Sequence, residues 1–182
     1  MEETTELLQQ MEENVESSYE QDVQKGKYMT FKSGDEYFGL KIQYVSEIIQ
    51  YQAITMIPET EDYLKGLINL RGKVIPVIDV ALRFKQEPFE YNDRTCIIVI
   101  DVKSAVVGLI VEKIAEVVEI QENDILPPPA MKRGEKSQQN KYVYGIGKVG
   151  DAVKLLLDPD KLLNDKELSA TEQKNDINLE KE

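Results

Sequence analysis

The fold is decided by residues 63–84, Tyr63-Leu-Lys-Gly-Leu-Ile-Asn-Leu-Arg-Gly-Lys-Val-Ile-Pro-Val-Ile-Asp-Val-Ala-Leu-Arg-Phe84. Two β-type runs, Leu67–Leu70 and Val74–Ile78, flank Arg71-Gly72-Lys73, the pattern of a hairpin with a glycine at its turn. Pro76 has no N–H for a ladder, which predicts an edge or bulged strand. Asp79 is placed to cap a short helical turn through Phe84. Arg71 and Lys73 then stand at a solvent-facing basic tip.

Working outward, the same grammar repeats. Tyr28–Gly39 reads as a hairpin turning at Ser33-Gly34-Asp35, and Lys41–Gln50 as a helical turn running into a strand. Ile54–Ile57 reads as a strand stopped by Pro58. Strands are expected at Thr95–Ile100, Ala105–Val111 and Glu116–Ile120, with Gly108 marking a bulge or a close backbone approach. Tyr142–Ile146 and Ala152–Leu157 form a closing pair, and Asp158-Pro159 starts a short helix through Leu163. Short strands at short spacings, without regular helical crossovers, predict an all-β antiparallel barrel or sandwich and exclude a doubly wound sheet.

The 182 residues suffice for one ordinary domain or two small fused ones. The net charge of -12 is concentrated at the ends. Residues 1–25 are acidic and expected to be disordered, although Leu7, Leu8, Met11 and Val15 share a helical face and leave a short amphipathic helix open. Residues 165–182 form a second acidic tail expected to be disordered. The folded unit is assigned to residues 26–164. An acidic chain lacks the positive field of a nucleic-acid binder. The acidic start is no secretory leader, and no apolar run reaches membrane-span length, so a cytoplasmic protein without direct membrane insertion is expected.

The chemistry of catalysis is thin. Histidine is absent and Cys96, in an apolar run, is the single cysteine, so zinc sites and common acid–base pairs have no ligands. Gly145-Ile-Gly-Lys-Val-Gly150 has dinucleotide-fingerprint spacing. No α/β unit follows it, and the glycines read as a β-turn. Glu59, Glu61 and Asp62 read as solvated surface. No cofactor and no catalytic residue are assigned. Val45, Ile48 and Ile49 beside Glu47, and Ile114, Val117 and Val118 beside Glu116, are apolar positions in excess of what short strands need for a core, which points to a binding module.

Residues 63–84, together with Tyr91-Asn-Asp-Arg-Thr-Cys-Ile-Ile-Val-Ile-Asp-Val102, Val106–Ile120, Val45-Ser-Glu-Ile-Ile49 and Tyr142–Leu163, resemble the CheW-type coupling proteins of bacterial chemotaxis, in order and with compatible spacing. The resemblance implies two five-stranded SH3-like β-barrel subdomains on a shared hydrophobic core, and no catalytic activity. It implies an adaptor that couples the cytoplasmic tips of methyl-accepting chemoreceptors to the histidine kinase CheA, recruited to receptor arrays at the inner membrane. By correspondence, Val45, Glu47, Ile114 and Val117 would line the receptor groove. Arg71 would be the signature arginine near it and Gly66 a sensitive glycine. The kinase would use the barrel ends, through residues the resemblance leaves unassigned. The alternative is a β-barrel interaction module of another signalling complex, such as a stand-alone relative of the kinase regulatory domain.

Overall fold

The computed structural model describes residues 23–128 and 141–163. The expectations for the two acidic tails, other than residues 23–25, and for most of the 131–141 loop lie outside them. The strands are β1 (Lys27–Ser33), β2 (Glu36–Lys41), β3 (Val45–Gln50), β4 (Leu64–Leu70), β5 (Lys73–Asp79), β6 (Cys96–Val102), β7 (Ala105–Val111), β8 (Lys113–Glu119), β9 (Ile125–Leu126), β10 (Val143–Val149) and β11 (Ala152–Leu157). Two short helices, α1 (Val80–Arg83) and α2 (Pro159–Leu163), follow β5 and β11. The strands form two sheets, ordered β8-β1-β2-β11-β10-β9 and β3-β6-β7-β5-β4. The protein is all-β, as expected.

The two sheets are built alike because the chain repeats itself. Phe38-Gly39-Leu40 and Val45-Ser-Glu-Ile-Ile49 recur at the same spacing as Val107-Gly108-Leu109 and Ile114-Ala-Glu-Val-Val118. Tyr63, Gly66 and Asp79 recur as Tyr142, Gly145 and Asp158. The geometry repeats too. Asp79 N–H donates to Tyr63 O at 2.8 Å, and Asp158 N–H to Tyr142 O at 2.8 Å. A bulge separates Leu64 from Gly66 and another separates Val143 from Gly145. Both aspartates cap the helix that follows, Asp79 accepting from Leu82 N and Asp158 from Lys161 N.

The halves exchange strands. After the β1–β2 hairpin the chain leaves that sheet, and β3 pairs with β6; after the equivalent β6–β7 hairpin, β8 returns to pair with β1. Two parallel pairings complete the exchange, β2 with β11 and β5 with β7. These depart from the antiparallel expectation, and they join segments too distant for any local signal. Each sheet curls toward a roll through the chain beyond its edge strand. Thr55 bridges Leu67 on β4, and the equivalent stretch β9 pairs with Ile146 and Gly147 on β10. The sixth strand of the larger sheet is therefore the counterpart of the Thr55 bridge, and the 54–57 stretch is a single bridge instead of a strand.

Pro76 also differs from expectation. β5 is interior, between β7 and β4, but its parallel ladder with β7 covers only Val77–Asp79, so Pro76 falls outside it. Gly108 marks a close approach with regular register; a Cβ there would lie 2.8 Å from Ile97 Cγ2. Of the fingerprint-spaced glycines only Gly150 is in a turn; Gly145 and Gly147 lie inside β10, packed under Ile125 and Ile120.

Burial explains the unbroken apolar run of β6. Ile97 and Val99 face the interior of the five-stranded roll with Ile68, Ile75, Val77 and Ile110. Ile98, Ile100 and Val102 face a core shared by both rolls, with Phe31, Phe38, Leu40, Phe84, Leu109, Tyr142 and Leu157. A strand covered on both faces has no polar alternation to show. Arg83, buried in that seam, lies 4.4 Å from the Tyr63 ring centroid and 4.9 Å from that of Tyr142, and its Nη2 donates to Leu162 O at 3.1 Å. One cation thus ties α1, α2 and the equivalent tyrosines of both rolls.

Candidate partner-binding site

β3 and β8 are edge strands of different sheets, and they hold equivalent residues. Val45 and Ile114, each half-buried, pack against the shared core. Ile48 and Val117 are 39% and 49% exposed. The two edges approach across the seam, since the Cys96 thiol on β6 meets the Ile114 backbone while Cys96 pairs with Gln50 of β3. Burial pushes that thiol's pKa up, consistent with a packing role.

Glu47 and Arg71 are brought into direct contact. The Arg71 guanidinium donates to the Glu47 carboxylate, although β3 and the β4–β5 hairpin lie at opposite ends of their sheet order. That ion pair closes the roll where the Thr55 bridge does not reach. Glu47 raises the Arg71 pKa, first through the hydrogen bond and then through its charge. Arg71 (φ 49°) and Gly72 (φ 85°) form the two-residue tip between Leu70 and Lys73, and Gly72 N–H donates to Asn69 Oδ1 at 2.9 Å. Positive φ at both central residues matches the twist of a tight hairpin. The Arg71 side chain is exposed as expected.

Gly66 lies elsewhere. It is buried at the β4 bulge, with φ 140°, and a Cβ there would stand 2.0 Å from Thr55 O. Its absent side chain lets the Thr55 segment lie on β4, so it supports the roll that carries Glu47 and Arg71. Sequence reasoning passed over the repeat that relates the β3 and β8 residues, although the matching spacing of Val45–Ile49 and Ile114–Val118 was there to be read. It also passed over Lys154, whose ammonium faces Glu116.

Among the described residues no group of three or more His, Cys, Asp or Glu could hold a metal ion, and no helix is long and apolar enough to cross a membrane. A groove of about 1520 Å³ is lined by Tyr28, Tyr44, Tyr144, Lys41 and Asp101 among others. Two of its tyrosines bond to each other, the Tyr28 and Tyr144 hydroxyls lying 2.7 Å apart.

The family model for the CheW-like domain matches residues 27–167. Chemotaxis protein CheW of Klebsiella aerogenes is 32% identical over 143 residues, covering 79% of this chain and 84% of that protein. Chemotaxis protein CheW of Helicobacter pylori is 30% identical over 154 residues, covering 85% and 91%. The crystal structure of scaffolding protein TtCheW from Thermoanaerobacter tengcongensis matches with a TM-score of 0.70 and 35% identity, over 78% of this chain and 94% of that one. Sequence, repeat and fold agree, and the chain belongs to the CheW-like domain family.

Proposed function

We propose that this chain is a non-catalytic chemotaxis adaptor that couples the cytoplasmic tips of methyl-accepting chemoreceptors to the histidine kinase CheA, working in the cytoplasm at receptor arrays. The observation that carries the reading is the pair of equivalent edge strands. Val45 and Ile114 are anchored in the shared core, and Ile48 and Val117 leave apolar surface beside them. Apolar anchors along a seam suit an amphipathic helical hairpin laid into a groove. Glu47 and Arg71 border this surface and supply polar register, which governs specificity more than affinity. The kinase would use the ends of the rolls.

The test is Arg71→Glu in the full chain. Arg71 is mostly exposed, so circular dichroism is expected to match the parent protein, with a denaturation midpoint lowered slightly by loss of the Glu47 contact. Pulldown by a receptor cytoplasmic fragment is expected to fall, while binding to the CheA regulatory domain persists. Unchanged receptor capture by a folded Arg71→Glu protein refutes the placement of Arg71 at the receptor surface. Failure of the wild-type chain to change CheA autophosphorylation in a formed ternary complex refutes the coupling itself.

A further inference from the structure

The repeat exposes a second charged pair. Glu47 of β3 corresponds to Glu116 of β8, and both follow a bulge of the same kind. Val45 and Glu47 pair with the consecutive residues Ile100 and Val99, so β3 holds one extra residue. Ile114 and Val117 pair with Phe31 and Met29, so β8 holds one extra residue at the same place. A bulge at an edge re-aims the side chains around it. Here it turns Val45 and Ile114 into the shared core and leaves Ile48 and Val117 exposed.

Each bulge acid meets a cation, but from different places. Glu47 is held by Arg71 at a hairpin tip. Glu116 Oε1 lies 3.9 Å from the ammonium of Lys154 on β11, whose side chain is only 7% exposed. The Lys154 ammonium also lies 4.3 Å from the Tyr37 ring centroid. The counterpart of Lys154 in the other roll is Ile75, which packs in that roll's apolar interior. Burying a lysine where the fold accepts isoleucine costs stability even when the charge is compensated. The backbone of the bulge is clamped separately. The Thr30 hydroxyl donates to Glu116 O at 2.7 Å and accepts from Glu116 N–H at 3.1 Å. What Lys154 adds is a buried cation beside the carboxylate of Glu116, whose side chain is 62% exposed.

We propose that Lys154 and Glu116 are a pair of positioning residues, Lys154 directing the Glu116 carboxylate and through it the β8 edge that carries Ile114 and Val117 on the receptor groove. This rests on the receptor-groove reading above. The fold uses a buried cation here for placement of the edge, at the expense of stability.

The experiment uses three variants of the full chain: Lys154→Ile, which installs the residue of the other repeat, the conservative Lys154→Arg, and Arg71→Glu. Each is measured for its dissociation constant with a soluble receptor cytoplasmic fragment and for its urea midpoint. Lys154→Ile is expected to bind the fragment severalfold more weakly with a midpoint equal to or above the parent, and Lys154→Arg to restore binding. A purely structural lysine gives the opposite pattern, a lowered midpoint with parental affinity, and overturns the proposal. So does parental affinity at any midpoint. If Arg71→Glu weakens binding and Lys154→Ile does not, the second pair alone is wrong. If neither variant weakens it, the receptor-groove reading falls as well.

Discussion

Gly66→Ala is the substitution whose cost the structure sets most closely. At φ 140° an alanine occupies a region L-residues rarely adopt, a strain of about 1–3 kcal/mol. Its Cβ would also stand 2.0 Å from Thr55 O and 2.8 Å from Thr55 C, both backbone atoms. No rotamer relieves that contact, so the segment around Thr55 has to leave β4. The bridge then goes, with Thr55 N–H to Leu67 O at 2.9 Å and Leu67 N–H to Thr55 O at 2.8 Å. Each bond is worth about 0.5–1.5 kcal/mol net. The sum is about 2–6 kcal/mol, a large part of the roughly 5–15 kcal/mol that holds a domain folded. Urea denaturation followed by circular dichroism measures it, with Gly72→Ala as control. Gly72 also has positive φ, 85°, but nothing lies within 4 Å of its Cβ position, so only backbone strain remains. Hydrogen exchange is expected to speed up at Thr55 and Leu67 before it does at Ile98. A Gly66→Ala protein no less stable than Gly72→Ala refutes the close-approach argument.

Asp79 is buried, caps α1, and accepts the Tyr91 hydroxyl at 2.5 Å. Asp79→Ala is expected to cost about 2.5–4 kcal/mol by urea denaturation, from a cap of about 1 kcal/mol and a charge-assisted bond of about 1.5–3 kcal/mol, and a cycle with Tyr91→Phe is expected to show coupling. Burial raises the pKa values of Tyr91 and Tyr144, helped by Asp79 and Tyr28 respectively. Their folded-state pKa values lie above the unfolded value of 10.0, so the unfolded chain loses these protons first. Their contribution is complete below that pH and is lost as pH rises toward the folded values. Urea midpoints measured from about pH 8 to about pH 11 should therefore fall at the alkaline end, with a shallower fall in Tyr91→Phe and Tyr144→Phe.

The legible parts of the fold were those with local causes. Asp79 and Asp158 announced their helices because a cap is a contact three residues away. The hairpins at Gly34 and Gly72 announced themselves because a tight turn restricts which residues can occupy it. Thr55 was misread because its environment is set by Gly66, across the roll, and not by its β-prone neighbours. Pro76 was misread because the rule that exiles proline to edges concerns the missing N–H, and β7 simply stops short of it. Gly145 and Gly147 were taken for a turn because glycine permits both turns and close strand packing. Only the position of Ile120 and Ile125 distinguishes the two. Of the site, the apolar positions and the Arg71 tip could be read from pattern. The Glu47–Arg71 contact could not, since β3 and the hairpin tip meet only when the sheet curls. Lys154 carries no local sign of its burial, since a lysine in a strand is ordinarily at the surface; it is buried where the other repeat has Ile75.

The exchange of strands bears directly on what an adaptor of this kind can do. Two domains joined by a linker move relative to one another unless a large apolar interface prevents it. Here no linker separates the rolls. β1 and β2 complete their sheet only with β8 and β11 from the second repeat, and β6 and β7 complete theirs only with β3 and β5 from the first. Phe31, Phe38 and Phe84 stack through the shared core, Phe38 and Phe84 with centroids 4.8 Å apart, and Arg83 spans the two equivalent tyrosines. Rotating one roll against the other would break ladders as well as packing. The spacing between the β3 and β8 edges is therefore fixed by the whole domain. A partner seated along both edges, as proposed above, would meet them at a set spacing, and any movement it imposed would displace the body as a whole.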